Sequence, residues 1–530
     1  MRTIRHLARS LRSLAGIVVC ATVFCVCVEV PVSAQPAIDW QQSYGGSSAD
    51  RGFSIAPTTD GGYIVLGESF SNDGQVNGNH GAFDLWVLKI AAEGALEWQH
   101  CLGGSGLEFA SEIRQTLDGG YILIGYVDST DGDVSQFIGV RDTWVVKLDP
   151  TGELEWERSY GGTFTDYGLS VIVLNNGEYL LFGVTASPNI PGLHGDRDLW
   201  VARIDATGEV LDQNCFGGVS QENGGSFALR PDGTILICGS TGSSNGEVDC
   251  SRPGPEAWVA AVDENLDLIW QLCLGGNGGD NARAICAGPN GDCFVAISTN
   301  STSGDMSSPW GGDDIWVAHV SEYGSLINEA SFGGSATDGA RAILYASEDH
   351  VLLSGITLSS DGQISSPHGM SDAWVVRLDT TLNLIWERSL GGTLGENNQG
   401  ICFAHDGSLV VVGSSSSNDG DLTNNFGSSD VWVVKFQPEP VGIAEPNDEA
   451  AFTLLPNPAH DRVRIAWSDM EVQQFVVCDA HGRMIHAKAG LEGSSSAELE
   501  IYDWSDGMYT VSLIGTKGRS NQRFIKVGER

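Results

Sequence analysis

Carboxylates at regular positions are the residues of this 530-residue sequence that could do chemistry. Seven Gly-Gly pairs are each followed, after three intervening residues, by an Asp or a Glu. Carboxylate oxygens suit Ca²⁺, and a carboxylate can also transfer protons as a general acid or base. These acids are therefore candidates for contact with a ligand. They are Asp50, Glu108, Asp166, Glu222, Asp280, Asp338 and Glu396.

A second set of acids, in and beside loops, comprises candidates for calcium binding. Calcium takes about six to eight oxygens, so the loop at 419–421 together with Asp430 could supply several. The full Asp-x-Asp-x-Asp-Gly pattern is missing, and each acid could instead accept hydrogen bonds from N–H groups of its own loop. A direct catalytic role is the third interpretation. The calcium candidates are Asp73, Asp131, Asp133, Asp361, Asp419, Asp421 and Asp430.

These acids belong to a repeat whose clearest mark is an acidic residue, any residue and then Trp. The mark occurs seven times, with five spacings of 58 residues and one of 56. So regular a period indicates one supersecondary unit copied seven times. The pairs are Asp84/Trp86, Asp142/Trp144, Asp198/Trp200, Glu256/Trp258, Asp314/Trp316, Asp372/Trp374 and Asp430/Trp432.

Each unit has the pattern of four short strands joined by turns. Between Trp98 and Trp156, extended runs at 109–116 and 120–127 flank an Asp-Gly turn, and two more runs follow at 143–148 and 154–160. Four antiparallel strands without helical periodicity are typical of a propeller blade. We therefore predict an all-β fold, a seven-bladed β-propeller over residues 35–437 with the repeated Trp side chains packed between blades.

The ends of the repeat array predict how the ring closes. One strand, 38–44, precedes the first full unit, and the last unit stops after its third strand, 431–436. Pairing of these strands would complete a seventh blade and remove two exposed sheet edges. In a propeller, the connections that carry the Gly-Gly-x3-acid sites open on the same face as the long loops. Both sets of acids are therefore predicted to crowd one face, around the mouth of the channel.

Histidine does not follow the repeat closely enough to predict a metal ring. One place in the long loop holds His in three units only. A ring of ligands would need His at more of these places. His-Glu-x-x-His and phosphate-loop motifs are absent from the sequence, so we predict no catalytic residue. The seven occupants are His80, Ile138, His194, Arg252, Trp310, His368 and Phe426.

Charge and apolar content restrict the partners of the protein. The sequence has 28 Lys and Arg against 68 Asp and Glu, a formal net charge of -40. So acidic a surface disfavours nucleic acid and anionic lipid and favours cations, although solubility outside the cell also explains it. Residues 1–34 have the basic start, apolar stretch and small-residue cleavage site of a secretory signal peptide. No membrane span is expected in the mature chain, because no other apolar run approaches membrane length.

Nine cysteines follow residue 34, and an odd number cannot pair completely within one chain. Cys101, Cys215 and Cys273 occupy a repeat position that holds Ser in other units. We interpret most of the nine as small buried residues rather than disulfide partners, despite the oxidising destination.

The C-terminal part of the chain differs from the repeats. A stretch rich in Pro and acids at 438–450 is typical of a linker. Residues 451–530 resemble the C-terminal sorting domain of the type IX secretion system through their motifs at 452–458, 479–483, 507–511 and 524–527. The resemblance implies a small β-sandwich that the type IX machinery reads at the outer membrane. It also implies a propeller that is released or kept at the cell surface.

Two weaker resemblances concern the repeats. They are similar to repeats common in large secreted proteins of the Bacteroidetes, which implies no activity. Residues 144–156 resemble the tryptophan-docking motif of quinoprotein-type propellers, but this sequence lacks the adjacent Cys pair of those quinone enzymes.

Three functions follow as hypotheses. The preferred one is a secreted or cell-surface propeller that binds a carbohydrate or a protein, with calcium as the candidate cofactor. The first alternative is an extracellular polysaccharide lyase or hydrolase, with its site in the divergent loops at 187–191 or 250–255. The second alternative is a purely structural surface component.

Overall fold

A computed structural model of the protein describes residues 35–438, except 251, 253 and 347–349. It also describes residues 452–527, except 458, 468–471, 479–483, 490, 492, 503, 505–506 and 516–517. The predicted signal peptide, nearly all of the predicted linker and the 479–483 motif lie outside the described residues. Within them, no helical segment has the length and apolarity that a bilayer crossing requires.

Strands between Ile38 and Phe436 form seven antiparallel sheets of four strands each, the blades of a β-propeller. In blades 1 to 6 the four strands follow one another along the chain. Blades 1 to 3 comprise β2 Asp50–Pro57, β3 Tyr63–Ser69, β4 Asp84–Ile90 and β5 Leu96–Leu102; β6 Glu108–Gln115, β7 Tyr121–Val127, β8 Asp142–Leu148 and β9 Leu154–Tyr160; and β10 Asp166–Val173, β11 Tyr179–Thr185, β12 Asp198–Ile204 and β13 Val210–Phe216. Blades 4 to 6 comprise β14 Glu222–Leu229, β15 Ile235–Thr241, β16 Glu256–Val262 and β17 Leu268–Leu274; β18 Asp280–Ala287, β19 Cys293–Thr299, β20 Asp314–Val320 and β21 Leu326–Phe332; and β22 Asp338–Ala346, β23 His350–Thr357, β24 Asp372–Asp379 and β25 Leu384–Leu390.

Blade 7 joins the two ends of the array, as the sequence predicts. It contains the N-terminal strand β1 Ile38–Tyr44 beside β28 Asp430–Phe436, followed by β27 Leu409–Ser415 and β26 Glu396–Phe403. The two strands run antiparallel, with Tyr44 opposite Val431. Because each strand covers the other, neither leaves an open edge at the join.

The repeated Trp residues form the core between blades, which confirms that prediction. All seven are at most 3 % exposed. Each indole N–H donates to a Gln or Glu of the fourth strand, as Trp144 does to Glu157 at 2.7 Å. Gly67 lies opposite Trp86, and a Cβ there would come within 2.4 Å of the carbonyl oxygen of Arg51. The Trp ring is large and its N–H is hydrogen-bonded, and the facing Gly leaves room because it has no side chain. This explains why Trp and Gly both recur in the repeat.

The first strand of each blade is the innermost one. Neighbouring first strands contact each other around the axis, and Ser111 of β6 donates to the carbonyl of Gly168 in β10 at 2.7 Å. All seven carry a β-bulge or similar irregularity after the third residue. A bulge re-aims side chains, so these strands place unusual residues at the axis.

The C-terminal segment forms two further sheets. One contains β29 Phe452–Leu455, β30 Arg462–Trp467 and β33 Ser496–Glu500. The other contains β31 Val472–Cys478, β32 Met484–Ala489, β34 Gly507–Gly515 and β35 Gly518–Lys526. Apolar side chains of both sheets share one core, including Phe452, Val463, Phe475, Val511 and Phe524. This is the small β-sandwich that the resemblance implies.

The cysteines of the propeller are mostly buried and free. One pair departs from the expected pattern, because Cys250 and Cys273 form a disulfide. Cys250 lies in the long loop of blade 4 and Cys273 in β17, so the bond ties this loop to its own blade. The free cysteines are Cys101, Cys215, Cys238, Cys286, Cys293 and Cys402.

Candidate ligand-binding face

The acids of the Gly-Gly-x3-acid sites lie beneath the face rather than on it. Each begins an innermost strand and is at most 2 % exposed. Asp166 accepts hydrogen bonds from the N–H of Gly162 and from Ser187 Oγ, both at 2.8 Å, and from Thr185 Oγ1. These carboxylates fix the connection between blades. The other acids that accept the equivalent Gly N–H are Asp50, Glu108, Glu222, Asp280, Asp338 and Glu396.

A second buried acid, from the Asp-x-Trp motif of the preceding blade, approaches the same glycine. A Cβ on Gly45 would lie 2.2 Å from Asp430 Oδ1 and 2.8 Å from Asp50 Oδ2. Burial, helped by the charge of Asp50, raises the pKa of Asp430 to about 7. Burial also raises the pKa of Glu108 to about 7. Two adjacent buried carboxyl groups therefore require the glycine, and one of them can hold a proton at neutral pH.

The loop acids proposed for calcium are engaged by backbone N–H groups. Asp131 Oδ1 accepts the N–H of Ser105 at 2.7 Å, a bond that lowers the pKa of Asp131. Asp133 Oδ2 accepts the N–H of Gly103 at 3.0 Å. The donors therefore belong to a neighbouring loop and not, as one interpretation of the sequence had it, to the acid's own loop. The equivalent bonds join Asp73 to Ser47, Asp361 to Ser335, Asp419 to Thr393 and Asp421 to Gly391.

The long-loop position that holds His in three units varies together with the residue that it faces in the next blade. Arg252 of blade 4 makes two hydrogen bonds with Asp305 of blade 5, at 2.5 and 2.9 Å. His368 Nε2 lies 3.7 Å from Asp421 Oδ2 of blade 7. Where this loop position holds a basic residue, the residue that it faces in the next blade is an acid. Where it holds an apolar residue, the facing residue is not an acid. In chain order the matched pairs are His80 and Asp133, Ile138 and Pro191, His194 and Glu247, Arg252 and Asp305, Trp310 and Gln363, His368 and Asp421, and Phe426 and Gln75.

The divergent loop of blade 4 borders a cavity of about 320 Å³. Cys250, Glu256 and Cys273 are the cluster of three metal-ligating types found among the described residues, but its two sulfurs are joined in the disulfide. Arg252, which also lines the cavity, is held by Asp305 and by the carbonyl of Gly275. The thiols are oxidised and the arginine is paired, so the remaining groups here with acid or base chemistry are the carboxylates of Asp249 and Glu256.

A cluster of arginine and aromatic side chains breaks the sevenfold pattern in blades 1 to 3. The guanidinium of Arg141 lies 4.9 Å from the ring centre of Phe109, 5.5 Å from Tyr126 and 5.7 Å from Tyr167. Phe109 and Tyr126 stack at 4.7 Å, and Tyr167 meets Tyr126 edge-on at 4.8 Å. We call this set the rim cluster and include in it Arg51, Glu68, Phe83, Phe109, Tyr126, Arg141 and Tyr167.

The same places in blades 4 to 7 hold mostly small polar residues. Ser298 accepts the N–H of Ala340 in the next blade at 3.1 Å, and Ser414 accepts that of Gly52 at 3.3 Å. The default residue is therefore a hydroxyl that tethers neighbouring blades. The equivalents are Asn223, Asn281, Gly339 and Asn397 for Phe109; Ser240, Ser298, Ile356 and Ser414 for Tyr126; and Pro255, Asp313, Ser371 and Ser429 for Arg141.

Glu68 gives the rim cluster a titratable group. It is 3 % exposed and accepts the N–H of Ala110 at 3.1 Å, the tether that Ser provides in other blades. Burial raises the pKa of Glu68 to about 7, although the Ala110 N–H and the charge of Arg51 act in the other direction. Burial, with a contribution from Glu68, raises the pKa of Tyr126 to about 12. A carboxyl that titrates near neutrality beside Tyr and Arg can exchange protons with a bound molecule.

Sequence reasoning missed the rim cluster because its members occupy different repeat positions in different units. The one available signal was the loss of Ser and Asn from these positions in units 1 to 3. Loop residues of the same face add exposed apolar surface, a feature that favours an interaction site. Those between 45 and 72 % exposed include Phe70, Ile138, Val140, Phe164, Trp310, Met370, Leu394 and Phe426.

Comparison with known sequences identifies the C-terminal segment. Residues 453–527 match the family described as the secretion system C-terminal sorting domain. The chain carries a type IX sorting domain and is a secreted or cell-surface protein. The regulatory protein FlaEY of Caulobacter vibrioides is 26 % identical over 186 residues, which are 32 % of this chain and 20 % of that protein. This chain thus spans about a fifth of that relative.

Several solved structures resemble the fold at low sequence identity. The Neurospora crassa Pan2 WD40 domain is 10 % identical with a TM-score of 0.40, over 78 % of this chain and 99 % of that one. An ulvan lyase of polysaccharide lyase family PL25 is 9 % identical with a TM-score of 0.44, over 75 % and 96 %. A DUF4221 family member from Bacteroides vulgatus is 10 % identical with a TM-score of 0.35, over 76 % and 98 %. The protein is a secreted β-propeller that carries a type IX sorting domain.

Proposed function

We propose that this protein is a binding propeller that recognises a carbohydrate at the rim cluster. The observation that supports it best is the stack of Arg141 on Phe109, Tyr126 and Tyr167, at one junction of a sevenfold scaffold. Aromatic faces are large, rigid apolar surfaces on which the C–H faces of a sugar can pack. The planar guanidinium adds several donors for hydroxyl and carboxylate oxygens.

The rim cluster is held on regular strands. Phe109 and Tyr126 are direct cross-strand partners in β6 and β7, and Arg141 immediately precedes β8. Arg141 also lies 3.5 Å from Asp128, at the other end of the same long loop. Side chains fixed in this way lose little freedom when a ligand binds, which favours affinity.

Calcium and the secretion machinery are separate parts of the proposal. Asp131 and Asp133 belong to the same long loop as Arg141, so a cation bound there would lie near the rim cluster. The sorting domain within 451–530 is expected to deliver the chain to the type IX machinery. The propeller would then meet its ligand outside the cell.

The test is a glycan array probed with the mature chain, with and without a chelator. We expect intact glycans to be retained, and we expect Arg141→Ala to weaken binding about tenfold, because hydrogen bonds from a charged donor are lost. Arg158→Ala is the matched control, since Arg158 lies in an outer strand and pairs with Glu209 at 2.7 Å. Unchanged binding by Arg141→Ala would exclude the rim cluster. Binding of the mature chain to protein samples but to no glycan would favour a protein ligand. Loss of binding in chelator would support calcium.

A polysaccharide lyase is the second candidate, and Glu68 favours it. β-Elimination from a uronate needs a base for the proton beside the carboxyl group and positive charge to stabilise the resulting anion. Glu68, with its pKa at about 7, could be the base, and Arg51 or Arg141 could provide the charge. Ultraviolet absorbance of unsaturated products is the assay. Products that form with the wild type but not with Glu68→Gln, while the variant still binds, would establish the lyase instead.

A further inference from the structure

Two arginines lie on neighbouring innermost strands, those of blades 5 and 6. Arg283 is the fourth residue of β18 and Arg341 the fourth of β22, and in both strands the register shifts across this residue. A bulged residue has no partner in the ladder, so its side chain is free to turn out of it. Arg283 is exposed although its strand is an innermost one, as expected of a side chain that turns toward the axial channel.

Neither arginine has a carboxylate partner among the described residues. Arg341 Nη1 donates to the carbonyl of the adjacent Ala340 at 3.3 Å, and Arg341 Nε is buried without a partner. Protein packed around the exposed guanidinium of Arg283 partly desolvates it and lowers its pKa. Burial, and then the charge of Arg283, lower the pKa of Arg341. Two guanidinium groups that repel each other in a partly buried place are an arrangement that a bound anion would stabilise.

Basic side chains elsewhere in the propeller are treated differently. Buried Lys89, Lys147 and Lys435 each lie within 3.2 Å of a carboxylate oxygen. Arg252 is held by both oxygens of Asp305. With 68 acidic residues against 28 basic ones, the chain does not lack carboxylates to place beside an arginine. Arg230 also lacks a carboxylate partner among the described residues, but its guanidinium lies over the ring of Trp270 and donates to the carbonyl of Glu322.

The neighbouring blade leaves space beside the arginines. At the place of Arg283, the preceding blade has Gly225, which contributes no side chain to the axis. Two guanidinium groups with no carboxylate partner among the described residues match the needs of an oxyanion.

We propose that the axial channel binds the carboxylate or sulfate group of an anionic ligand between Arg283 and Arg341. The proposal is independent of the rim cluster, because the two sites share no residue. With a net charge of -40 the protein as a whole repels anions, so any attraction for an anion is limited to the surroundings of the arginine pair.

The test is calorimetric titration of the mature chain with sodium sulfate and, separately, sodium glucuronate, against sodium chloride at equal ionic strength. We expect the oxyanions to bind and to raise Tm beyond the effect of chloride. Arg283→Gln combined with Arg341→Gln should weaken this binding about tenfold or more, because charge-assisted hydrogen bonds are removed. Arg158→Gln, which removes a charge from an outer strand, should leave it unchanged. Binding of sulfate without glucuronate would assign the channel to sulfate groups, and the reverse to carboxylates.

Equal binding of both oxyanions by the wild type and the double variant would identify an adventitious ion only and overturn the proposal.

The Tm of the variants in sodium chloride is a second measurement, and it needs no ligand. Arg341→Gln should keep or raise Tm there, because it removes repulsion; a clear fall in Tm would show a structural pair instead. Arg283→Lys should fold and keep part of the affinity. The Arg141→Ala variant separates the two sites, since the channel should still bind sulfate when the rim cluster is damaged.

Discussion

Blades 1 to 3 and blades 4 to 7 come from the same repeat, yet their second strands end differently. In blades 5 and 7, Ser298 and Ser414 tether one blade to the next. In blade 2, the same place holds Tyr126, which stacks with Phe109 beneath Arg141. Residues present in every blade are buried and engaged with the scaffold. The difference teaches that repetition marks what holds the ring together, whereas departure from it marks what a ligand can meet.

The largest effect is expected from the most regular residue. Trp144→Ala should lower the free energy of unfolding by about 3–5 kcal/mol, because a fully buried ring and its bond to Glu157 are lost. Urea denaturation followed by circular dichroism measures it. Trp258→Ala in blade 4 is the internal control and should lose about as much, since its ring is equally buried. A loss below about 1 kcal/mol at both places would break the assignment of these residues to the scaffold.

The next largest loss of stability is expected from replacing one of the repeated buried acids. Asp166→Ala should cost about 2–4 kcal/mol, because Gly162, Thr185 and Ser187 all lose their acceptor. The exposed Asp196→Ala in the same blade should change the unfolding free energy by less than about 0.5 kcal/mol. If Asp166→Ala kept its stability but lost glycan binding, the carboxylate would belong to the ligand site after all.

Stability should fall as pH rises through neutrality. Asp430 has its pKa raised to about 7 when folded, so the native state keeps a proton that the unfolded chain has already released. This contribution is fully present below the unfolded pKa and is lost as pH rises through the folded one. We expect a loss of about 2 kcal/mol between about pH 5 and pH 7 from such a group. Asp430→Asn should flatten the profile measured by urea titration at each pH, and an unchanged profile would contradict the buried pair.

The smallest effect on stability is expected at the rim cluster. Arg141→Ser installs the residue found at the equivalent places in blades 6 and 7. It should change the unfolding free energy by less than about 0.5 kcal/mol. Glycan binding should nevertheless fall about tenfold, which is about 1.4 kcal/mol of binding free energy. A variant that lost stability and binding in proportion would show that the cluster serves packing.

Much of the fold could be read from particular residues. The recurrence of Trp86 and its six equivalents predicted the blades, and the lone strand at 38–44 predicted its pairing with β28. The partners of Cys273 and Arg252 could not be read in this way. Cys273 occupies a position that holds Ser in other units, and only the path of the loop at 250–255 brings Cys250 to it.

The acids of the repeat show most clearly what the sequence cannot predict. Asp50 and Asp131 are both regular in the sequence, but Asp50 is buried beneath the face and Asp131 is exposed in a loop. Their surroundings depend on hydrogen-bond partners supplied by other strands and loops. A repeat makes positions equivalent, but it does not say which oxygen faces solvent.

By itself, the sequence determined the seven blades, the closure by the N-terminal strand and the sorting domain, because period and motif are properties of residue order. Only the tertiary structure decided that Asp430 and Asp50, 380 residues apart, share one glycine, and that Arg283 and Arg341 of neighbouring strands lack a carboxylate partner among the described residues. The physical reason is that burial, pKa and charge balance depend on neighbours in space, and closing the ring supplies those neighbours.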